Sequence, residues 1–581
     1  MMTVKNDKTH WIYWSALVLL SFVFFQFFYA YHLFFKEQVQ LFLYSAEYFL
    51  SYFDKPAWLA RYAGDFLTQF FYLRGGGPTV LSALFLMEWL LITKILKQIN
   101  HSPAAALWAL IPAGIDWALH TRLSHPVSVS AGAILALLFF LAYRCISNRK
   151  IAFITAILLL FATYWLAGSA MYIFAVLLIL PTNNKHCFPL QKRLVFALLA
   201  SSIPYVFYLK YLLTLQQAYL FPASHPSSLL FAASLVLAVL FNFSTKDIRQ
   251  KHDRILRFVL PPFILILVAF GLKSLANFNL EKILSLDSET YFGRTELVLR
   301  LSEKYQLNNR YTAYYTNMAL AQTGQLSEKL MEVYQPAADG LFLPVSQHEN
   351  WLTILFSNEA FYLVGDMNMA QHSAMLGMTF SPYQRSSRMV KRLAEINLVT
   401  GDYPAATKYL RMLEKTLLHK KWATDRLNLI RNAETPDWLI RKRQQIAQTD
   451  SLRKTYDYLP SVQFLAEQNP GNTTARDYLF CHLLLNKEIG AFRQLYDRYT
   501  SRQNQPLPSA YSEALLVSLF QTKASQDELA SYNIPADKIR DFIRYSNQYE
   551  NSGGDPEKLV ELYAKSYWFY YHFATKTAME P

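Results

Sequence analysis

The sequence predicts an all-α protein in two parts: a polytopic membrane bundle of about nine helices, then a soluble helical domain of tetratricopeptide-like repeats. Three observations carry this. Of 581 residues, 53% are hydrophobic and only 17% charged, against about 25% charged in an ordinary soluble domain. Residues 1–276 hold 22 Lys/Arg and 9 Asp/Glu, whereas residues 277–581 hold 34 and 33. Apolar residues form long blocks in the first part and recur at helical spacing in the second, without sustained period-two alternation. The expected domains are therefore residues 1–276 and 277–581.

The net charge of +14 sits in loops between apolar runs rather than on a solvated basic face, which excludes a nucleic-acid partner. Cys145, Cys187 and Cys481 have no paired spacing, so neither a disulfide framework nor a cysteine zinc site is expected. No His-Glu-x-x-His, Gly-x-Ser-x-Gly, dinucleotide fingerprint or EF-hand loop occurs.

A bilayer core about 30 Å thick needs about 20 apolar residues per helix. Residues 11–35 meet this without a charge, and no small-residue cleavage site follows, so the run is read as a retained first helix. Further apolar runs cover residues 78–99, 104–119, 127–143, 151–180, 194–213, 227–243 and 258–276. Lys5/Lys8, Lys94/Lys97, Arg144/Arg149/Lys150, Lys185/Lys192/Arg193 and the run from Lys246 to Arg257 follow the positive-inside rule. That pattern closes only if residues 151–180 cross and return, with Ala167-Gly168-Ser169 as the break. The count is then nine, the N-terminus is inside, and everything after Ala276 lies outside, in the periplasm of a bacterial inner-membrane protein.

Loop one, residues 36–77, is aromatic and long. Lys55-Pro56 separates two stretches that suit helices in the headgroup zone, with Glu47, Arg61 and Asp65 pointing to water. Beyond residue 285, three junctions look alike, with Gly324, Gly365 and Gly401 in the inter-helix turns and a fourth at residues 485–492. Tetratricopeptide units place Gly and Ala this way, and such repeats stack into solenoids that bind a peptide or another domain.

Candidate chemistry clusters on the outer side. Glu37 follows helix one. Asp116 and His120 stand four apart on one face of helix three, with Arg122 and His125 beyond. An acid inside a bilayer costs roughly 2.5–3.5 kcal/mol on the mildest scale and usually marks a functional path. Glu88 in helix two raises the same question farther from the outer face. Arg74-Gly75-Gly76-Gly77 pairs a strong base with backbone able to form an anion nest, suited to a lipid-linked phosphate, and Lys210 is a second contact.

An acid just after helix one, two interfacial helices, a broken hairpin at residues 163–169 and a soluble domain after the last helix resemble the GT-C-fold membrane glycosyltransferases. The resemblance lies in topology and covers about half the chain. It implies transfer of a sugar from a polyprenyl-phosphate donor, with Glu37 taking the acceptor proton. Asp116 and His120 would orient the acceptor or hold a divalent metal ion. Arg74, Gly75, Gly76, Gly77 and Lys210 would hold the leaving phosphate. The acidic pair often seen in that family is reduced here to Lys36-Glu37-Gln38. The alternative is a non-enzymatic membrane scaffold whose repeats recruit envelope proteins.

Overall fold

The computed structural model describes residues 9–100, 102, 104–180, 188–226, 229–245, 268, 271–346, 348–447, 449, 458–500 and 507–575. The protein is all-α, and no strand occurs among the described residues. It divides into two units, the first holding residues 1–281 with 415–420, the second residues 282–414 and 421–581. The main division falls between residues 281 and 282, and the six-residue return to the first unit has no sequence signal.

In the first unit, α1 (Thr9–Val23) continues through a π-helical turn, Phe24–Phe28, and stops at Tyr29. There the chain bends by 76° into α2 (Ala30–Gln38). Tyr29 is fully buried; its hydroxyl donates to the Thr121 carbonyl at 3.1 Å and accepts from the Asn277 N–H at 3.0 Å. A bend uncovers the first N–H groups of the following helix. Glu281 takes two of them, accepting from Tyr31 N–H at 2.8 Å and His32 N–H at 2.9 Å. Residues 11–35 are therefore not one straight span.

Loop one forms α3 (Ala46–Leu50) and α4 (Trp58–Thr68), each extended by a 3-10 turn. Phe42, Tyr48 and Tyr52 are buried together, with Tyr62 and Phe66 packed against them. Of the three polar side chains expected to face water, only Glu47 is exposed. Asp65 accepts from the Tyr52 hydroxyl at 2.5 Å, and the Arg61 guanidinium lies 5.0 Å from the Tyr52 ring centre and 5.3 Å from that of Phe221.

The rest of the unit is α5 (Gly76–Asn100), α6 (Ala105–Trp108), α7 (Leu110–Leu119), α8 (Val127–Tyr143), α9 (Arg149–Ala167), α10 (Met171–Ile179), α11 (Leu190–Tyr211), α12 (Leu215–Leu220) and α13 (Leu229–Ser244). Phe85, Ile92, Leu137, Leu160, Phe174 and Leu235 lie in its core. Gly64 of α4 meets Ser128 of α8 so closely that an added Cβ would overlap the Ser128 backbone.

Among the described residues three helices are long and apolar enough to cross a membrane: Gly76–Asn100, Arg149–Ile179 and Leu190–Tyr211. The bent pair at Tyr29 makes a fourth if counted as one span. The expected nine are not reached, for two reasons. Ala105–Leu119, Val127–Tyr143 and Leu229–Ser244 are shorter apolar helices. The expected reversal within residues 151–180 is also absent, because α9 and α10 run on as one stretch of 31 residues through a 3-10 turn at Gly168–Ala170. Gly168, at φ 63°, instead admits a neighbouring loop: Ser169 N–H donates to the Phe221 carbonyl at 2.7 Å, and a Cβ at residue 168 would strike that oxygen. Lys5, Lys8, Lys185, Cys187, the basic run 246–257 and most of residues 258–276 lie outside the described residues.

In the second unit, Trp351–Val364 and Met367–Phe380 meet at Gly365, and Ser387–Thr400 and Tyr403–Glu414 meet at Gly401. Gly365 and Gly401 have φ of 97° and 83°, the left-handed residue that ends a helix where the chain must turn at once. Gly324, at φ 69°, follows Arg310–Gln322 in the same way. The fourth junction differs: Gly490 lies inside Ile489–Tyr499, and Lys487, at φ 60°, takes the turn.

Candidate functional site

Asp116 sits in the last turn of α7, is 1% exposed, and is the centre of a polar cluster in the first unit. Helix spacing brings His120 beside it, with Nε2 3.5 Å from Oδ2. The turn after α7 returns His125, whose Nε2 is 3.2 Å from Asp116 Oδ1. The first turn of α8 adds Ser130, whose hydroxyl donates to Asp116 Oδ2 at 2.6 Å and lies 2.7 Å from His120 Nε2.

These distances accommodate one proton arrangement in which every contact has a donor and an acceptor. A serine hydroxyl has one hydrogen. If it goes to Asp116, then Ser130 accepts from His120, whose Nε2 carries the proton and whose Nδ1 is left as the acceptor. His120 Nδ1 is buried and has no hydrogen-bond partner among the described residues. The relay runs from imidazole through hydroxyl to carboxylate and leaves a basic nitrogen at its end.

Lys36 of α2 supplies the cation, donating from Nζ to the His120 carbonyl at 3.1 Å and the His125 carbonyl at 3.0 Å. Glu88 of α5, fully buried, lies close enough to Asp116 for the two carboxyl groups to interact. His32, 1% exposed, lies with its ring centre 4.8 Å from that of Tyr29, the two rings tilted by 39°. One ligand atom each from Asp116, His120 and His125 lie within 4.8 Å of one another, a donor set of one carboxylate and two imidazoles that suits a divalent transition metal.

Glu37 does not join this cluster. Successive helical residues point about 100° apart, so Lys36 reaches the Asp116 side and Glu37 another. Glu37 is buried rather than water-facing, and its Oε1 lies 3.2 Å from His419 Nε2. His419 belongs to the six-residue segment of this unit; its N–H donates to Thr416 Oγ1 at 3.1 Å, its ring meets Tyr72 at 5.0 Å, and the Lys415 carbonyl accepts from Tyr44 N–H at 2.8 Å.

The expected phosphate contacts stand apart. Arg74 and Lys210 are exposed, and no hydrogen bond or ion pair joins either to the Asp116 cluster among the described residues. The glycines do not form an open nest. Gly75 has φ 80° in the turn, Gly76 and Gly77 begin α5, and Gly76 N–H already donates to the Leu73 carbonyl at 2.9 Å. Gly76 packs on the Phe70 carbonyl and Gly77 on Leu33, so both are close-approach positions.

Sequence reasoning paired Asp116 with His120 but missed Ser130 and His419. A serine in an apolar helix and a histidine 382 positions from its partner carry no local signal. Lys36 was read only as a neighbour of Glu37.

The chain belongs to a family of unknown function (DUF6057), whose profile matches residues 7–574. No curated protein and no solved structure matches it.

Proposed function

We propose that this family member is a membrane enzyme transferring a sugar from a polyprenyl-phosphate donor to an acceptor, by acid–base chemistry at Asp116, His120 and Glu37. The observation that carries it is the relay from His120 through Ser130 to Asp116, closed by His125 and Lys36 at full burial. Ionisable groups are not kept inside an apolar helical unit for stability alone, since packed apolar residues serve at least as well. Two carboxylate–imidazole pairs in one unit, Asp116 with His125 and Glu37 with His419, supply the pattern of a base oriented by an acid. In this reading Glu37 holds His419 to accept the acceptor proton, and Asp116 fixes the His120 tautomer. Asp116, His120 and His125 are the residues that would hold a divalent ion, which would supply positive charge for a leaving phosphate. Polyprenyl phosphate as donor rests on the topological resemblance and on the aromatic loop one.

The same proposal places the protein in a bacterial inner membrane, with the second unit in the periplasm as a repeat domain that presents the acceptor. The second reading, a scaffold, is favoured by the consecutive helix pairs turning at Gly365 and Gly401. One experiment separates them: Asp116→Asn in membranes of a deletion strain. Loss of lipid-linked glycan transfer at unchanged abundance supports the enzyme; full transfer refutes it.

A further inference from the structure

A cavity of about 200 Å³ lies wholly within the second unit. Its floor is an ion network. Arg388, one of the largest fully buried side chains, pairs with Asp287 at 2.7 Å and Glu359 at 2.8 Å. One turn on, Arg392 pairs with Glu359 at 2.5 Å and Glu395 at 2.9 Å. Two guanidiniums thus face three carboxylates, and neither needs a further anion.

The walls differ. Lys391 and Arg426 also line the cavity, and neither forms a salt bridge among the described residues. Lys391 donates to the Tyr291 hydroxyl at 3.1 Å and lies 4.5 Å from the Tyr291 ring centre and 5.1 Å from that of Trp422. The Arg426 guanidinium lies 4.6 Å from the same Trp422 ring centre, and its Nε is buried with no hydrogen-bond partner among the described residues. Burial lowers the Arg426 guanidinium from its ordinary value, with Glu395 and the exposed Asp425 acting against that. Ring faces hold these cations in place without neutralising them. A guanidinium with an idle buried donor, facing a cavity, is a place for an oxyanion.

The aromatic rim narrows the ligand. Tyr362 is already covered by Arg392 at 4.0 Å and by Lys442 at 4.6 Å, and Trp422 by Lys391 and Arg426. Trp438 lines the cavity and has no such cation on its ring among the described residues. Its indole is the surface left for a ligand to stack on.

We infer that the cavity is a binding site for a small organic anion in which a carboxylate or phosphate is carried by a ring, with Arg426 and Lys391 gripping the anion and Trp438 stacking on the ring. The inference is independent of the chemistry proposed for the first unit. The full chain in detergent is titrated calorimetrically with glucuronate, glucose 6-phosphate, inorganic phosphate and glucose. Saturable binding is expected for at least one of the two ring anions, about tenfold tighter than for inorganic phosphate or glucose. Arg426→Gln and Lys391→Gln should each weaken it about tenfold or more, with helical circular dichroism unchanged. Trp438→Leu should bring the ring anion down to the level of inorganic phosphate. Arg426 is only half-buried, so its variant is expected to fold, and Lys391→Gln gives the same reading if it does not. The inference is overturned if no ring anion binds up to about 10 mM, if glucose binds as tightly, or if the charge variants bind like wild type.

Discussion

Glu37 and His419 are 382 positions apart in the chain, yet Oε1 of one lies 3.2 Å from Nε2 of the other, each side chain 6% exposed. Glu37→Gln keeps the shape and a hydrogen-bonding group but removes the charge that orients the imidazole. If the pair is the base, glycan transfer should fall by about 100-fold or more, while thermal stability falls by only about 1–2 kcal/mol. His419→Ala should match it in activity. Wild-type transfer by Glu37→Gln, measured in membranes of a deletion strain, refutes the role.

The Asp116 cluster makes a compositional prediction. Purified chain dialysed against a zinc or manganese buffer should retain about one ion per molecule. Asp116→Ala and His125→Ala should each lose it, and a chelator should abolish activity together with the bound metal. Equal metal content in wild type and both variants removes the ion from the proposal and leaves the proton relay.

Arg388 carries a stability prediction. Arg388→Met strands Asp287 in the interior, while Glu359 keeps its pair with Arg392, at an expected cost of about 3–5 kcal/mol. Adding Asp287→Asn should restore most of that, since the stranded charge is then gone. A double variant as unstable as the single one would mean that packing, not charge, is what Arg388 provides.

Lys442 sets a pH dependence. Burial, with Arg392 nearby, lowers its ammonium to about 7, whereas an unfolded lysine titrates near about 10.4. Between those values the unfolded chain binds a proton that the folded chain lacks, so stability rises with pH across the window and is lowest below it. The melting temperature of the full chain should therefore climb between about pH 7 and about pH 10, and Lys442→Met should flatten the climb. An unaltered slope in the variant would assign the dependence to other groups.

Topology can be read by fusion. If the four spans by length, with the bent pair counted as one, all cross, they return the chain to its starting side; a further crossing by the apolar run at residues 258–276 would place the second unit outside. Alkaline phosphatase fused after Pro581 should then be active, and a fluorescent protein that folds only in the cytoplasm should be dark. The reverse pattern would put the second unit inside and end the periplasmic reading.

Features set by neighbours in sequence were legible. Asp116 and His120 share a face because they are four apart, Lys55-Pro56 does separate α3 from α4, and Gly365 and Gly401 turn where a residue without a Cβ is needed. Features set by distant chain were not. Gly168 looked like a reversal, yet its freedom serves the carbonyl of Phe221. Glu37 offers only its place after helix one, because nothing near it in sequence announces His419. Arg388 stood in an ordinary amphipathic helix, and only the fold brings Asp287 to it from 101 positions away. The 127–143 run has the same 17 residues as its helix, so its shortness against the about 20 residues of a span was already legible.

The contact between Gly64 and Ser128 has a genetic corollary. With no side chain at residue 64, α4 rests directly on the α8 backbone. Each carbon added there acts as a wedge of known thickness. Gly64→Ala should behave as a conditional allele, tolerated in the cold and lost on warming, and Gly64→Val as a loss of function at every temperature. A compensating change that reopened the spacing would have to arise on the facing turn of α8, so a suppressor screen started from Gly64→Ala would map that turn without any assay for the reaction.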